Sequence, residues 1–320
     1  MANRLLTTSH GTNRDAFSAA DWARFVSIGL IWGSSFLLIA IGIEAFHPGF
    51  VTWLRVLFAS AFMWLLPKAR SSPPIQAEDR PRVALIAVTW VMIPLTLFPI
   101  AQQWIDSAVA GMLNGAVPIF TAVIASILLR QLPGRLQRAG LVVGFAGIVA
   151  ITLPSVDAGT TAALGVALVL VATICYGLTN NLLTPMQQRY GSIPVMARVM
   201  WLGTLLVTPY GIYGATQSTF AWQSLAAVAA LGVLGTGVAF IMMGTLAGSV
   251  GPTRASFITY LLPVVALVLG VVFRDEIVAP VAIIGSLLVI VGAIFASRRE
   301  TSAATASSAV TRDVEDDDAA

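Results

Sequence analysis

The sequence predicts an all-helical integral membrane protein of ten transmembrane helices, arranged as two inverted five-helix repeats. The first supporting observation is composition: 57% of the 320 residues are hydrophobic, 10% are charged, and the mean hydropathy is +0.86. A soluble domain is about a quarter charged, because its surface must face water. The second observation is a series of ten apolar runs, and the third is an internal repeat at a nearly constant offset.

The ten apolar runs are separated by charged residues or by proline and glycine. A helix needs about 20 apolar residues to cross a hydrocarbon core of ~30 Å, whereas crossing strands would show alternating ten-residue segments. Ten such runs in succession cannot be buried inside a soluble domain of this size. The predicted spans are residues 25–43, 49–66, 83–102, 108–129, 137–153, 163–183, 194–213, 222–246, 254–273 and 279–296.

The placement of lysine and arginine predicts the orientation. With the N-terminus in the cytoplasm, fifteen of the 18 basic residues lie in cytoplasmic segments and only Arg274 lies in an outer loop. The remaining two, Arg55 and Arg198, lie within spans. Cytoplasmic loops of membrane proteins carry an excess of such residues, so both termini are predicted to be cytoplasmic.

The second half of the chain repeats features of the first at an offset of 143 to 145 residues. The matched positions are Trp32-Gly33 with Tyr176-Gly177, Arg55 with Arg198, Pro118 with Pro263, Gly140 with Gly285, and Gly147 with Gly292. Because five is an odd number, the second repeat begins on the opposite side of the membrane from the first. Inverted repeats of this kind are typical of carriers that work by alternating access.

The predicted organisation has four parts. A cytoplasmic N-terminal tail covers residues 1–23, the first five-helix repeat covers 24–153, and the second covers 154–298. Residues 299–320 are rich in Ala, Ser, Thr and Asp. This composition predicts a disordered cytoplasmic tail, because it offers too little apolar surface to offset the entropy of ordering.

Three segments resemble the EamA-type transporters of the drug/metabolite transporter superfamily. They are residues 30–36 (LIWGSSF), 52–56 (TWLRV) and the run from Tyr260-Leu261-Leu262-Pro263 to Phe273. The resemblance covers residues 24–298, in two repeats. The family often ends its ninth span with a Gly-Glu pair, where this chain has Asp275-Glu276; the matching end of the fourth span is Arg130-Gln131. The resemblance implies a bacterial inner-membrane carrier, commonly an exporter of amino acids or other small metabolites.

Pro118 and Pro263 predict a substrate site near the middle of the membrane. A helical proline disrupts the hydrogen bond to the carbonyl four residues earlier, and helices interrupted at matching positions of two repeats indicate such a site. The predicted substrate-binding residues are Trp32, Asn114, Pro118, Tyr176, Asn180, Thr259, Tyr260 and Pro263, with Trp90, Phe120 and Trp201 as further aromatic lining. The alternative is that the prolines only kink helices, the polar groups only join helices, and the aromatics only pack.

Arg55, Arg198 and Glu276 are predicted to be gating or structural residues. A charge at membrane depth is costly and is normally functional or paired. The alternatives for the arginines are snorkelling to the interface or attraction of a substrate carboxylate. No Asp or Glu lies well inside a span, so proton coupling would have to use an end-of-helix acid such as Glu44 or Glu276. Exchange and facilitated diffusion need no such group.

These features predict a multi-pass inner-membrane transporter with a small-molecule substrate, with a channel or a small-molecule receptor as the alternative. An enzyme is not expected, because His10 and His47 have no acidic or cysteine cluster nearby and no Walker A loop is present. Cys175 is the single cysteine, so neither a metal nor a cofactor is predicted. Partners are predicted to be membrane lipid but not nucleic acid, and a homodimer through the glycine-rich fifth and tenth spans is a further hypothesis. Substrate, direction, energy coupling and oligomeric state do not follow from the sequence.

The predicted topology can be tested by cysteine labelling after Cys175 has been replaced by serine. A membrane-impermeant maleimide is expected to label Thr160→Cys on intact cells, because residue 160 is predicted to lie outside. It should label Ser72→Cys only after permeabilisation. The opposite pattern would overturn the orientation.

Overall fold

The computed structural model describes residues 18–72, 74–130, 132–250 and 255–296, which are almost entirely helical. Over these ranges, nine helices are long and apolar enough to cross a membrane, and Pro280–Ala296 is a shorter tenth apolar helix. Its 17 residues reach about 25 Å at 1.5 Å per residue, the lower end of the spanning range. The predicted fold class is confirmed. Residues 1–17 of the predicted N-terminal tail and all of the predicted tail 299–320 lie outside the described residues.

Six of the spans are continuous α-helices. They are the first, second, fifth, sixth, seventh and tenth spans, over Ala19–Ile43, Pro48–Leu65, Arg135–Asp157, Thr160–Tyr190, Ser192–Thr216 and Pro280–Ala296. The first begins at a capping box in which the Asp21 amide donates to Ser18 Oγ and the Ser18 amide donates to the Asp21 carboxylate, each at 3.2 Å. Such reciprocal bonds satisfy amides that have no partner within the helix.

The other four spans are interrupted, and they form two repeat-related pairs. The third and eighth spans each contain a π-helical segment. Just before a proline, the fourth span is broken by two turn residues and the ninth changes from 3₁₀-helix to α-helix. The third span consists of Arg80–Ile86, π-helical Ala87–Met92 and Ile93–Ala101, and the eighth of Trp222–Ala230, π-helical Leu231–Val238 and Ala239–Val250. The fourth consists of Ser107–Asn114 and Val117–Leu129, and the ninth of 3₁₀-helical Ser256–Tyr260 and Leu261–Arg274.

The helix contacts follow the inverted repeat. The second span packs on the seventh, the fourth on the ninth and the fifth on the tenth, so each of these pairs joins repeat-related helices. The first span packs on the eighth and ninth, just as the sixth packs on the third and fourth. This pattern is what a pseudo-twofold axis in the membrane plane produces.

The fifth and tenth spans meet in a close contact that we call the glycine seam, formed by Gly140, Gly144, Gly147, Gly285 and Gly292. A Cβ atom on Gly147 would lie 2.6 Å from the Gly285 carbonyl oxygen, and one on Gly292 would lie 2.4 Å from the Gly144 nitrogen. Small residues let membrane helices approach until their backbones touch. The chain thus uses these glycines in an internal contact, and the homodimer hypothesis stays a prediction.

The glycine seam predicts a steep dependence of stability on side-chain size. Gly147→Leu should destabilise the fold by about 2 kcal/mol or more, because the added atoms cannot be accommodated without moving a backbone. Ala146→Leu is the matched control, since Ala146 is the exposed neighbour on the same helix. Thermal unfolding of the two purified variants in detergent measures the difference. Equal melting temperatures would contradict the close contact.

Candidate functional site

A cavity of about 80 Å³ lies between the two repeats, at the level of the interrupted helices. Four spans of the first repeat and three of the second contribute to its wall. Among the described residues, the fifth, seventh and tenth spans contribute none to the lining. The lining residues are Trp32, Ser35, Phe36, Ile39, Arg55, Trp90, Phe98, Asn114, Val117, Tyr176, Asn180, Phe240, Met243, Thr259 and Leu262.

Much of this wall consists of repeat-related pairs. Each pair is separated by 144 or 145 positions in the sequence, and both members line the cavity. The pairs are Trp32 with Tyr176, Phe36 with Asn180, Asn114 with Thr259, and Val117 with Leu262. The pseudo-twofold axis therefore relates opposite walls of the cavity.

The break in the fourth span places Asn114 at the cavity. Asn114 is the last residue of the first helical piece, and Gly115 and Ala116 separate it from the second piece. The Asn114 side chain is 6% exposed, and its Oδ1 atom has no hydrogen-bond partner among the described residues. A buried amide oxygen without a partner costs about 1–3 kcal/mol, so the fold holds this side chain beside the cavity at an energetic cost.

The prolines that interrupt the fourth and ninth spans do not themselves line the cavity. Pro118 is buried, and the Pro263 ring packs so closely on Gly115 that a Cβ atom there would lie 2.6 Å from its Cγ. Tyr260 lies outside the lining and stacks on Phe257 with ring centroids 5.4 Å apart. Of the predicted substrate-binding residues, the structure brings together Trp32, Asn114, Tyr176, Asn180 and Thr259.

The two π-helical segments were not predicted from the sequence, and residues that line the cavity bind to one of them. Trp32 donates its Nε1–H to the Gly235 carbonyl at 3.0 Å, and Arg55 donates its Nε–H to Thr236 Oγ1 at 2.9 Å. Thr236 in turn donates to the Leu231 carbonyl at 3.1 Å. π-Helical turns are rare and frequent at functional sites.

Two sequence signals could have located the π-helical segments. Pro94 follows the first segment and has no N–H to donate to the carbonyl of Trp90. The second contains the glycine-rich run Gly232, Gly235 and Gly237. The segments begin 144 positions apart, at Ala87 and Leu231, which matches the repeat offset.

Arg55 and Arg198 match in sequence but have different surroundings. Arg55 is 5% exposed and lines the cavity within electrostatic range of the Tyr176 phenol, so the snorkelling alternative is wrong for it. Arg198 lies away from the cavity, where its Nη atoms donate to the carbonyls of Pro194 and Ser72 at 3.0 and 3.3 Å. Arg55 therefore contributes to the cavity wall, whereas Arg198 connects its own helix to the segment that contains Ser72.

The expected aromatic lining is only partly correct. Trp90 lines the cavity, but Phe120 packs edge-on against Phe145, with centroids 5.9 Å apart. Trp201 is 50% exposed on the outside of the helix bundle, so its predicted place in the lining was wrong. The aromatics that sequence reasoning missed are Phe36, Phe98 and Phe240.

Glu276 ties the end of the ninth span to the start of the fourth. Its carboxylate accepts hydrogen bonds from the Ser107 amide at 2.9 Å, the Ser107 hydroxyl at 2.6 Å and the Ala108 amide at 2.9 Å. A carboxylate is favourable at a helix N-terminus, where amides lack partners and the helix dipole is positive. Nearby, Arg274 forms an exposed ion pair with Glu44.

Asp106 belongs to the same end of the molecule. Burial raises the pKa of the Asp106 carboxyl, and the neighbouring Glu276 carboxylate raises it further, while Arg274 opposes both effects. Within the described ranges, no group of three or more His, Cys, Asp or Glu residues could hold a metal ion. The groups at the cavity are a cation, an unpaired amide oxygen, a phenol and an apolar aromatic wall, which can bind and orient a small molecule.

A family model described as the EamA-like transporter family matches the chain twice, over residues 23–153 and 163–298. The chain is 26% identical to the "Probable terminal-alkyne amino-acid exporter" of Streptantibioticus cattleyicolor, over 88% of this chain and 94% of that protein. It is 23% identical to the "Uncharacterized transporter YdfC" of Bacillus subtilis, over 84% and 87%. It is 27% identical to the "Uncharacterized inner membrane transporter YedA" of Escherichia coli K12, over 75% and 78%.

A solved crystal structure has a similar fold. It aligns with a TM-score of 0.59 at 17% sequence identity and covers 88% of this chain and 97% of the other. At this level of identity the likeness concerns the fold alone.

The contacts of Glu276 predict that it stabilises the protein more than Glu44 does. Glu276→Ala should cost about 2 kcal/mol, because it removes three hydrogen bonds to a charged acceptor. Glu44→Ala, the matched control, removes one exposed ion pair, which contributes about 0–1 kcal/mol. Thermal unfolding in detergent measures both effects. If Glu44→Ala destabilised the protein as much, the proposed importance of the Glu276 cap would be refuted.

Proposed function

The chain belongs to the EamA-like transporter family, and on that premise we propose that it is a secondary-type transporter that exports small metabolites by alternating access. It is a multi-pass protein of the inner membrane. Amino acids and related amphipathic compounds are the proposed substrates. The observation that carries the proposal is the cavity between the repeats, whose lining includes four pairs of repeat-related residues.

Symmetry supports alternating access. Because the repeats are inverted, a rearrangement that opens the cavity toward one side has a counterpart that opens it toward the other. Pairs such as Trp32 with Tyr176 and Asn114 with Thr259 exchange places under the axis. In three of the four pairs the two members are of the same kind (two aromatics, two polar residues or two aliphatics), so a bound molecule would meet similar side chains there in both states.

The interrupted helices supply places where the spans can bend. The fourth span is broken at Gly115 and Ala116, and the ninth changes from 3₁₀ to α at Leu261. Helix-terminal residues of this kind absorb backbone rotation during domain movements. Both breaks adjoin lining residues, Asn114 in the fourth span and Thr259 in the ninth, so bending there would change the shape of the cavity directly.

The chemistry of the wall supports an amphipathic substrate. Trp32, Trp90, Phe98 and Phe240 give apolar contact area, and a few polar groups interrupt it. Small-molecule sites commonly combine a largely apolar wall with a few placed polar groups. Transport without a covalent step needs only such binding, which agrees with the transporter names of the relatives.

The energy source is proposed to be exchange or facilitated diffusion, since none of the described residues that line the cavity is Asp or Glu. Proton coupling through Glu44 or Glu276 is the competing proposal. Efflux from proteoliposomes with and without an imposed pH gradient distinguishes them. A carrier also saturates with substrate concentration and shows counterflow, whereas a channel or a receptor shows no counterflow.

Comparative metabolite export, from cells with and without the protein, tests the proposed function without preselected substrates. At least one small amphipathic metabolite is expected to accumulate outside only when the protein is present. Absence of any such difference, with the protein verified in the membrane, would refute export as its function.

The same export experiment tests the cavity as the substrate site. Asn114→Ala and Tyr176→Ala should abolish or redirect export while the proteins remain in the membrane, because each removes a polar group from the wall. Trp201→Ala is the control, because Trp201 is exposed on the outside of the bundle; its export should match the wild type. Full export by both cavity variants would refute the site.

A further inference from the structure

We propose that a cleft between the third and seventh spans binds an anionic phospholipid of the surrounding membrane, with the lipid phosphate between Arg80 and Arg198. One acyl chain of the lipid then runs along Val83 and Leu202, toward the middle of the membrane. This site is separate from the cavity between the repeats, and the proposal holds whatever molecule that cavity carries.

The cleft lies at the end of the helix bundle that is predicted to be cytoplasmic. Its volume is about 310 Å³, which is within the range of ligand sites in proteins. Two of its lining residues are exposed, so a ligand can reach it from the surface of the bundle. The lining residues are Pro74, Ile75, Arg80, Val83, Arg198 and Leu202.

The charge of the cleft is complementary to a phosphate. Its described lining includes two cations, Arg80 and Arg198, and no anion. Asp79 precedes Arg80 in the sequence, but its carboxylate accepts hydrogen bonds from Arg189 and Tyr190, each at 2.6 Å. The planar guanidinium group of arginine matches the geometry of phosphate oxygens, so two of them on one cleft favour a phosphate ligand.

The fold holds the guanidinium of Arg198 at the cleft. This half-buried side chain donates to the carbonyl of Pro194, four residues earlier on the same helix, at 3.0 Å. It also donates to the carbonyl of Ser72 at 3.3 Å, in the segment that supplies Pro74 and Ile75 to the lining. The side chain therefore points back toward the end of the bundle, where lipid headgroups lie.

The cleft changes from polar to apolar with depth. The third and seventh spans both begin at this end of the bundle, at Arg80 and Ser192. Val83 follows Arg80 by three residues and Leu202 follows Arg198 by four. At 1.5 Å per residue, each apolar side chain is attached about 5–6 Å deeper than the arginine of its own span. A phospholipid has the same polarity, with a charged headgroup above its acyl chains.

The deep end of the cleft leads to the outer surface of the bundle. Beyond it, the two spans are in direct contact, since a Cβ atom on Gly203 would lie 2.4 Å from a side-chain atom of Val91. Leu205 and Leu206 follow Leu202 on the same helix face and are 52% and 39% exposed. An acyl chain can therefore continue along these leucines, among the other lipids.

The opposite end of the bundle has no equivalent pair of arginines at the repeat-related positions. The counterpart of Arg80, 144 positions later, is the buried Ser224, which donates to the Ile41 carbonyl at 2.8 Å. The counterpart of Arg198 is Arg55, which lines the central cavity instead. Anionic lipids are characteristic of the cytoplasmic leaflet, and basic pockets between spans on that side bind their headgroups. A basic cleft at one end only is therefore consistent with such a ligand.

Lipid binding to the purified full-length protein tests this inference. Dioleoylphosphatidylglycerol, which is anionic, is titrated against dioleoylphosphatidylcholine, which has the same acyl chains and no net charge, and bound lipid is measured by native mass spectrometry. We expect the wild type to bind phosphatidylglycerol at least about fivefold more tightly, since each basic residue near a membrane surface strengthens attraction to anionic lipid by about this factor.

Substitution of Arg80 should weaken this preference. Arg80→Gln should lower the affinity for phosphatidylglycerol about fivefold and leave that for phosphatidylcholine unchanged, and Arg198→Gln should lower the same ratio. Arg135→Gln is the matched control, because Arg135 is also exposed and also begins a span at the predicted cytoplasmic end. It should keep the wild-type ratio.

Three outcomes would overturn the inference. They are equal binding of the two lipids by the wild type, an Arg80→Gln variant that keeps the preference, and an Arg135→Gln variant that loses as much of it, which would indicate general attraction to a basic surface. A soluble phosphate is distinguished by thermal shift with glycerol 3-phosphate, which should not stabilise the protein. Stabilisation equal to that by phosphatidylglycerol, and lost in Arg80→Gln, would show a soluble-anion site and refute the lipid.

Discussion

The fold is governed by one constraint: in hydrocarbon, every backbone amide and carbonyl must find its hydrogen-bond partner within the protein. The described chain meets it with helices, and two of its departures from α-helical bonding show how protein groups surround or satisfy the altered backbone. Gly115 and Ala116, which interrupt the fourth span, are buried. In the eighth span, the Gly235 carbonyl in the π-helical segment accepts a hydrogen bond from Trp32. The cavity thus lies beside these departures from α-helical bonding. Asn114, at the break in the fourth span, lines it, and the Gly235 carbonyl binds the lining residue Trp32.

The sequence was sufficient for the spans, the repeat and the paired breaks, because each rests on a strong local signal: apolar length, a constant offset, or proline. The sequence was insufficient to predict whether a side chain faces the cavity or the lipid. A membrane helix is apolar on all sides, so the pattern does not distinguish a residue facing lipid from one facing a cavity, and Trp201 was assigned to the wrong side for this reason. The π-helical segments were not predicted, because one turn of altered hydrogen bonding changes neither the length nor the hydropathy of a span. Asn114 was found because a lone amide at membrane depth is costly enough to need a partner.

A symmetric scaffold here supports an asymmetric site. The walls exchange under the pseudo-twofold axis, but Arg55 lines the cavity and its counterpart Arg198 binds carbonyls elsewhere. Divergence of the two arginines thus places a single cation among the described residues that line the cavity. Asn114 is likewise matched by Thr259, a polar residue of different chemistry.

The symmetry of the glycine seam bears on how a chain with two inverted repeats could have arisen. Its two helices occupy equivalent positions in the repeats and run in opposite directions, and each contributes glycines to the same contact. Such an interface is isologous, meaning that one surface recognises a copy of itself. It needs no covalent link between the halves. Two separate five-helix chains inserted in opposite orientations could present the same two surfaces, so the seam has the geometry of an antiparallel dimer that gene duplication and fusion could join into one chain. Fusion would then have allowed the halves to diverge, as Arg55 and Arg198 have.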